Sequence, residues 1–114
     1  MSASRALGSA ELNDAAPLFF ALGDGTRLRL LVRLSANGPL SIAGLCSRAA
    51  VSRQAITKHL EVLSQAGLVQ SVRHGRERIW ELTPTRLDDA HHYLDGISRQ
   101  WDDALGRLKE FVED

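Results

Sequence analysis

The stretch Val51–Leu68, VSRQAITKHLEVLSQAGL, constrains the fold more than any other part of the chain. Ser52 is suited to cap a helix, because its hydroxyl accepts from an otherwise unpaired N–H of the first turn. Ile56, Leu60 and Leu63 recur at the spacing of one buried helix stripe. Gly67 supplies the stop. The opposite face carries Arg53, Gln54, Thr57 and Lys58. Arginine pairs bidentately with guanine and glutamine with adenine, while lysine and threonine commonly hold phosphates. A helix with these two faces is a candidate reader of the DNA major groove. Alone, it is better read as an amphipathic surface helix with a solvated polar face, so its flanks decide.

Upstream, Ser41 can cap a short helix from Ile42 to about Arg48, with Ile42 and Leu45 inward. The turn Ala49–Val51 then leads to Ser52. A short helix, a tight turn and a longer helix make the helix-turn-helix pattern, here without a turn glycine. Downstream, Leu68–Arg73 and Arg78–Thr83 read as strands joined by the turn His74-Gly75-Arg76-Glu77. Trp80 and Leu82 share the strand face that packs on the helices, because a lone hairpin is marginal in water. The hairpin tip is basic, with Arg73, His74, Arg76 and Arg78. The fold class is therefore mainly α with a small β-hairpin wing, a winged helix-turn-helix.

Residues 1–10 lack periodicity and read as a flexible tail, leaving 11–114 as one domain. Asn13 or Asp14 is the expected cap of a first helix ending near Leu22, with Pro17 in its first turn. Phe19 and Phe20 are its apolar face, and either both pack internally or one meets a partner chain. After Gly23-Asp24-Gly25, a second helix capped by Asp24 or Thr26 carries Leu28, Leu31 and Val32 inward. Arg27, Arg29 and Arg33 are expected as solvated charges. Asn37-Gly38-Pro39 ends that helix.

The last helix starts at Pro84 with Thr83 as its expected cap. Its apolar stripe runs through Leu87, Ala90, Leu94, Ile97, Trp101, Leu105, Leu108 and Val112. So small a core does not cover so long a stripe, which points to pairing of the first and last helices with a second copy.

The formal net charge is zero, but it is unevenly spread. Arg48–Arg78 holds six basic and two acidic residues, a net of +4, and Thr85–Asp114 holds four and eight, a net of −4. A basic middle with an acidic end suits a protein that meets an anion on one face. No long apolar run suggests a membrane span, and no apolar core near the N-terminus suggests a secretory signal. With one cysteine, Cys46, a cytoplasmic location is the simplest expectation. No glycine-rich phosphate loop, nucleophile elbow or carboxylate pair points to an enzyme.

With these residues placed, the chain resembles the ArsR-type winged helix-turn-helix repressors from about Ala15 to Val112. The motifs that carry the resemblance are ALGDGTRLRLLVRL, SRQAITKHLEVLSQAGLV and VRHGRERIWELTP. Ser52, Thr57, His59 and Leu60 take the family's positions in its recognition helix. The resemblance implies a homodimer built on the first and last helices, bound to operator DNA and released by a signal. DNA contacts are then expected from Ser52, Arg53, Gln54, Thr57, Lys58, His59, Arg73, His74 and Arg76.

The family's best-known members sense metals, but Ser41 and Ala43 stand here where their cysteine pair would be. Pro84 and Arg86 stand where the first ligands of their other site would be. The tail DGISRQWDDALGRLKEFVE resembles a metal-independent subgroup, so no cofactor or metal is expected. Two alternatives stay open: a metal-responsive repressor with a relocated site at Asp88, Asp89, His91, His92 and Asp95, or a winged-helix module that binds protein. Surface charges with exposed histidines account for that cluster without a metal, and Cys46 reads as a small buried hydrophobe.

Overall fold

The structure is a computed structural model that describes residues 7–47 and 50–113. Arg48 and Ala49 lie outside the described residues, and so do the expected helix end at Arg48 and the start of the expected turn. The elements run α1 (Ser9–Leu22), α2 (Gly25–Asn37), β1 (Leu40–Ser41), α3 (Ile42–Cys46), α4 (Arg53–Gln65), β2 (Val69–His74), β3 (Glu77–Leu82) and α5 (Pro84–Glu113). The fold is a winged helix-turn-helix, mainly helical, with a three-stranded antiparallel sheet in the order β1-β3-β2.

The core forms where α4 lies against α1, α2, α3 and the base of the wing. Leu18, Leu45, Ile56, Leu60, Leu63 and Leu68 are fully buried. Trp80 closes this core from β3, and Ala90 and Tyr93 close it from α5. Full burial of a leucine or isoleucine side chain stabilises by roughly 1.5–3 kcal/mol, so the α4 stripe holds the domain together.

The structure departs from expectation in α1, in α2 and in the number of strands. α1 starts at Ser9, not after Asn13 or Asp14, and the Glu11 carboxylate accepts from the Gly8 N–H at 3.1 Å. Leu7, expected in the tail, packs into a notch at Gly96 on α5, where a Cβ would lie 3.1 Å from its side chain. Pro17 therefore sits inside the helix, where it removes one backbone donor, and not in the first turn. In α2 the inward stripe is Leu30, Leu31 and Leu34, with Leu28 and Val32 exposed. Arg27 belongs to that inward face, and a charged residue in the stripe disguises its phase. The third strand, β1, was not expected, because two residues are too short to show a period. Leu40 pairs with Trp80 and Ser41 with Ile79.

The caps behave as their chemistry requires. Asp24 Oδ2 accepts from Arg27 N, Ser41 Oγ from Gly44 N and Ser52 Oγ from Ala55 N, each at 3.1 Å. Donation from the Arg27 N–H is the main reason the Asp24 carboxyl titrates below its ordinary value. α4 ends in a Schellman motif, with Leu68 N donating to Leu63 O at 2.9 Å and Gly67 N to Ser64 O at 3.0 Å. Gly67 takes φ +80°, and a Cβ there would also lie 2.8 Å from Arg86 Cγ.

α5 is 30 residues, or roughly 45 Å at 1.5 Å per residue. Its first half packs on the core beside α1. Its second half runs on and stretches the molecule to 66 × 28 × 22 Å. Leu94, Trp101, Leu105, Leu108, Phe111 and Val112 are all exposed along it, Trp101 at 65% and Phe111 at 81%. Phe20 on α1 is exposed at 70%, while Phe19 packs against the core. No helix among the described residues is long and apolar enough to cross a membrane.

Replacing Gly67 with alanine forces a side chain into left-handed backbone and against Arg86. A loss of about 1–3 kcal/mol is expected in urea unfolding at neutral pH. Unchanged stability would show that this helix end is not held as described.

Candidate nucleic-acid interface

The N-terminal half of α4 meets solvent on the face opposite its core stripe. Arg53, Gln54, Thr57 and Lys58 are all exposed there. Ser52 spends its hydroxyl on the cap. The Thr57 hydroxyl donates to the Arg53 carbonyl at 2.9 Å, which leaves its oxygen free to accept. Among the described residues, Arg53, Gln54 and Lys58 have no side-chain partner. Polar groups with long reach and no intramolecular partner stand ready for phosphates and base edges.

His59 is placed differently from the rest of this set. It is half-buried and faces the α1–α2 junction. Its Nδ1 lies 3.2 Å from Arg27 Nη1 and 3.8 Å from Asp24 Oδ2. For Arg27 to donate here, Nδ1 must be the unprotonated ring nitrogen.

The wing presents the second basic group. Gly75, at φ +65°, followed by Arg76 at an ordinary negative φ, makes a two-residue hairpin turn of the II′ pattern. This turn puts Arg73 opposite Arg78 and His74 opposite Glu77. Arg73, His74, Arg76 and Arg78 are all exposed. Like charges directly opposed across two strands repel, and an anion between them relieves the repulsion. Below the tip, Gln70 Nε2 donates to Glu81 Oε2 at 3.3 Å.

Other arginines have structural work, which corrects their reading as solvated charges. Arg27 Nε donates to Ala21 O at 2.6 Å and Nη2 to Phe20 O at 3.2 Å, satisfying carbonyls at the end of α1. Its guanidinium also lies 5.5 Å from the centre of the Phe20 ring. Arg33 donates to Leu45 O at 2.6 Å and Gly44 O at 2.8 Å, which fixes α3 against α2. Helix ends leave carbonyls unpaired, and a guanidinium can reach two at once.

Among the described residues, no three of His, Cys, Asp and Glu converge to hold a metal. Two carboxylates of the suggested cluster on α5 pair with arginines. Asp89 lies 2.8 Å from Arg86, and Asp95 lies 3.0 Å from Arg99. His91 and His92 are exposed, with the His92 ring beside Tyr93. Ser41, at a position where the family's metal sensors carry a ligand, serves as the α3 cap. Cys46 is half-buried and packs against the core.

Comparisons with known proteins agree with this architecture. A helix-turn-helix domain model matches residues 22–72. The HTH-type transcriptional regulator Rv2034 of Mycobacterium tuberculosis is 39% identical over 93 residues, covering 82% of this chain and 83% of the relative. The structure of an ArsR-like transcriptional regulator from Rhodococcus sp. RHA1 superimposes with a TM-score of 0.80 at 36% identity. That match covers 94% of this chain and 97% of the other. The chain belongs to the ArsR family. As an ArsR-family protein it is a DNA-binding transcriptional regulator and not an enzyme. The arsenical resistance operon repressor of Escherichia coli is a further relative, 34% identical over 67 residues, covering 59% of this chain and 57% of its own.

The two basic groups of this ArsR-family chain should respond differently to mutation. Arg53→Ala should cost roughly 1–3 kcal/mol at a cognate site and much less on random DNA. Arg76→Ala should weaken both alike and flatten the salt dependence. Equal losses on cognate and random DNA for Arg53→Ala would contradict a base-reading role for it.

Proposed function

We propose that this regulator is a homodimer that binds a specific operator and represses by occupying it, without the metal-sensing sites of the family's best-known members. One observation carries the reading: the partnerless polar face of α4 and the basic wing tip occur in the same domain as an uncovered apolar stripe. In this reading Arg53, Gln54 and Thr57 read bases. Ser52, Lys58, Arg73, His74 and Arg76 hold the backbone. His59 acts from behind, by fixing α4 to the α1–α2 junction. The exposed faces of α1 and α5 meet a second copy across a two-fold axis. That pairing sets two copies of α4 into successive major grooves, about 34–36 Å apart.

The charge distribution supports one DNA-facing side. The acidic run from Asp88 to Glu113 lies in α5, outside α4 and the wing. The lack of metal dependence is supported by Ser41 as a cap and by Arg86, Asp89, Asp95 and Arg99 being paired with one another. A protein-binding module is the less favoured reading, since bare Arg53, Lys58, Arg73 and Arg76 suit a polyanion.

Fluorescence anisotropy with DNA from upstream of the protein's own gene tests this at two salt concentrations, with zinc and with chelator. Preference over random DNA, weakened by salt and indifferent to zinc, is the expected result. Affinity lost on adding zinc would overturn metal independence, and no salt-sensitive binding would favour the protein-binding module. Leu108→Glu should leave the helical content intact, shift sedimentation toward the 12.5 kDa monomer and weaken operator binding at least tenfold. An unchanged dimer would exclude α5 from the interface.

A further inference from the structure

The nitrogens of Arg86 reach three different elements. Nε donates to Ala66 O, the C-cap carbonyl of α4, at 3.4 Å. Nη1 donates to Asp14 Oδ2 on α1 at 3.4 Å and to Asp89 Oδ2 on α5 at 2.8 Å. Nη2 donates to the Asp14 carbonyl at 3.4 Å. Asp14 is held in turn by the Tyr93 hydroxyl, which donates to the same Oδ2. The stem of Arg86 lies against Gly67, in the notch where a Cβ would lie 2.8 Å away. One residue on, Leu68 O accepts from Thr83 N at 2.9 Å, so the chain after α4 is tied to the start of α5 a second time.

We infer that Arg86, anchored by Asp14, is a positioning residue that sets the angle of the recognition helix relative to the α1/α5 dimer helices. This rests on the homodimer proposed above. The core stripe of α4 fixes which face is inward, but packing of aliphatic side chains tolerates small rotations and slides. A guanidinium carried on α5, with directional bonds to α1 and to the end of α4, removes that freedom. The angle matters only when two recognition helices must enter two grooves at once. A single helix on a single half-site can dock at whatever angle it holds. Losing the anchor therefore lowers affinity for a two-half-site operator and spares an isolated half-site.

The experiment uses full-length protein and an operator enriched from random DNA by the wild type, together with the same DNA cut to one half-site. Arg86→Gln, Arg86→Lys and Asp14→Asn are compared with wild type, with circular dichroism and sedimentation confirming fold and dimer. The expected result is at least a tenfold loss on the two-half-site operator with less than a twofold change on the half-site. Asp14→Asn should give a similar loss, and the double variant Arg86→Gln with Asp14→Asn should lose no more than either alone. Arg86→Lys, which keeps the charge and loses the fork, should recover only part of it. Equal losses on both DNAs, or none on either, would overturn the positioning role while leaving the dimer intact. A wild type with no preference for two half-sites over one would overturn the dimer reading and this inference together.

Discussion

α4 must do two things with one helix. It buries Ile56, Leu60 and Leu63 completely and keeps Arg53, Gln54, Thr57 and Lys58 bare. The rest of the fold follows from that division. α1, α2, α3 and the base of the wing are the surfaces that cover the stripe, and none covers the N-terminal polar face. The Ser52 cap lets the helix begin without a neighbour over its first turn. The Gly67 stop then turns the chain straight into β2. A change that rotated α4 would expose leucines and bury Arg53 and Lys58 together, so core packing and the exposure of the polar face are one constraint.

The arginines divide by what they touch. Arg27, Arg33 and Arg86 donate to backbone carbonyls near helix ends, where the backbone offers acceptors that the helix itself does not use. Among the described residues, Arg53, Arg73 and Arg76 have no such acceptor. The first group fixes the helices against one another, and the second is left for an external anion. Composition cannot make this division, because the residue type is the same in both groups. The acidic partners show the same logic. Asp14 and Asp24 hold their neighbours and titrate below the ordinary carboxylate value, chiefly through donation from Tyr93 and from the Arg27 N–H respectively. Their contributions are full above the ordinary carboxylate value and are lost as pH falls through the lowered ones.

Local chemistry was readable from the sequence, and long-range pairing was not. Ser41, Asp24 and Ser52 announce their caps because each needs only a neighbour three residues on. Gly67, Gly75 and the strand patterns announce the wing for the same reason. The start of α1 was missed because its cap is a glycine with Glu11 reaching back, not a serine or aspartate. β1 was missed because its pairing with Trp80 spans forty residues. Arg27 was read as solvated because a charge inside a helix stripe breaks the pattern that marks burial. The family's recognition-helix pattern puts His59 with the DNA face, although one residue along a helix turns a side chain by about 100° from Lys58. A histidine flanked by two residues of opposite polarity, at the edge of the stripe, was the available signal.

The uncovered stripe on α5 and the bare face of α4 lead to one geometric claim: two recognition helices related by a two-fold axis on one DNA duplex. Dimethyl sulfate attacks guanine N7 in the major groove, so protection by the bound protein maps where those helices lie. Two protected clusters in inverted orientation are expected, centred about 10 base pairs apart or a multiple of that, on one face of the duplex. A single cluster, or protection without two-fold symmetry, would contradict it.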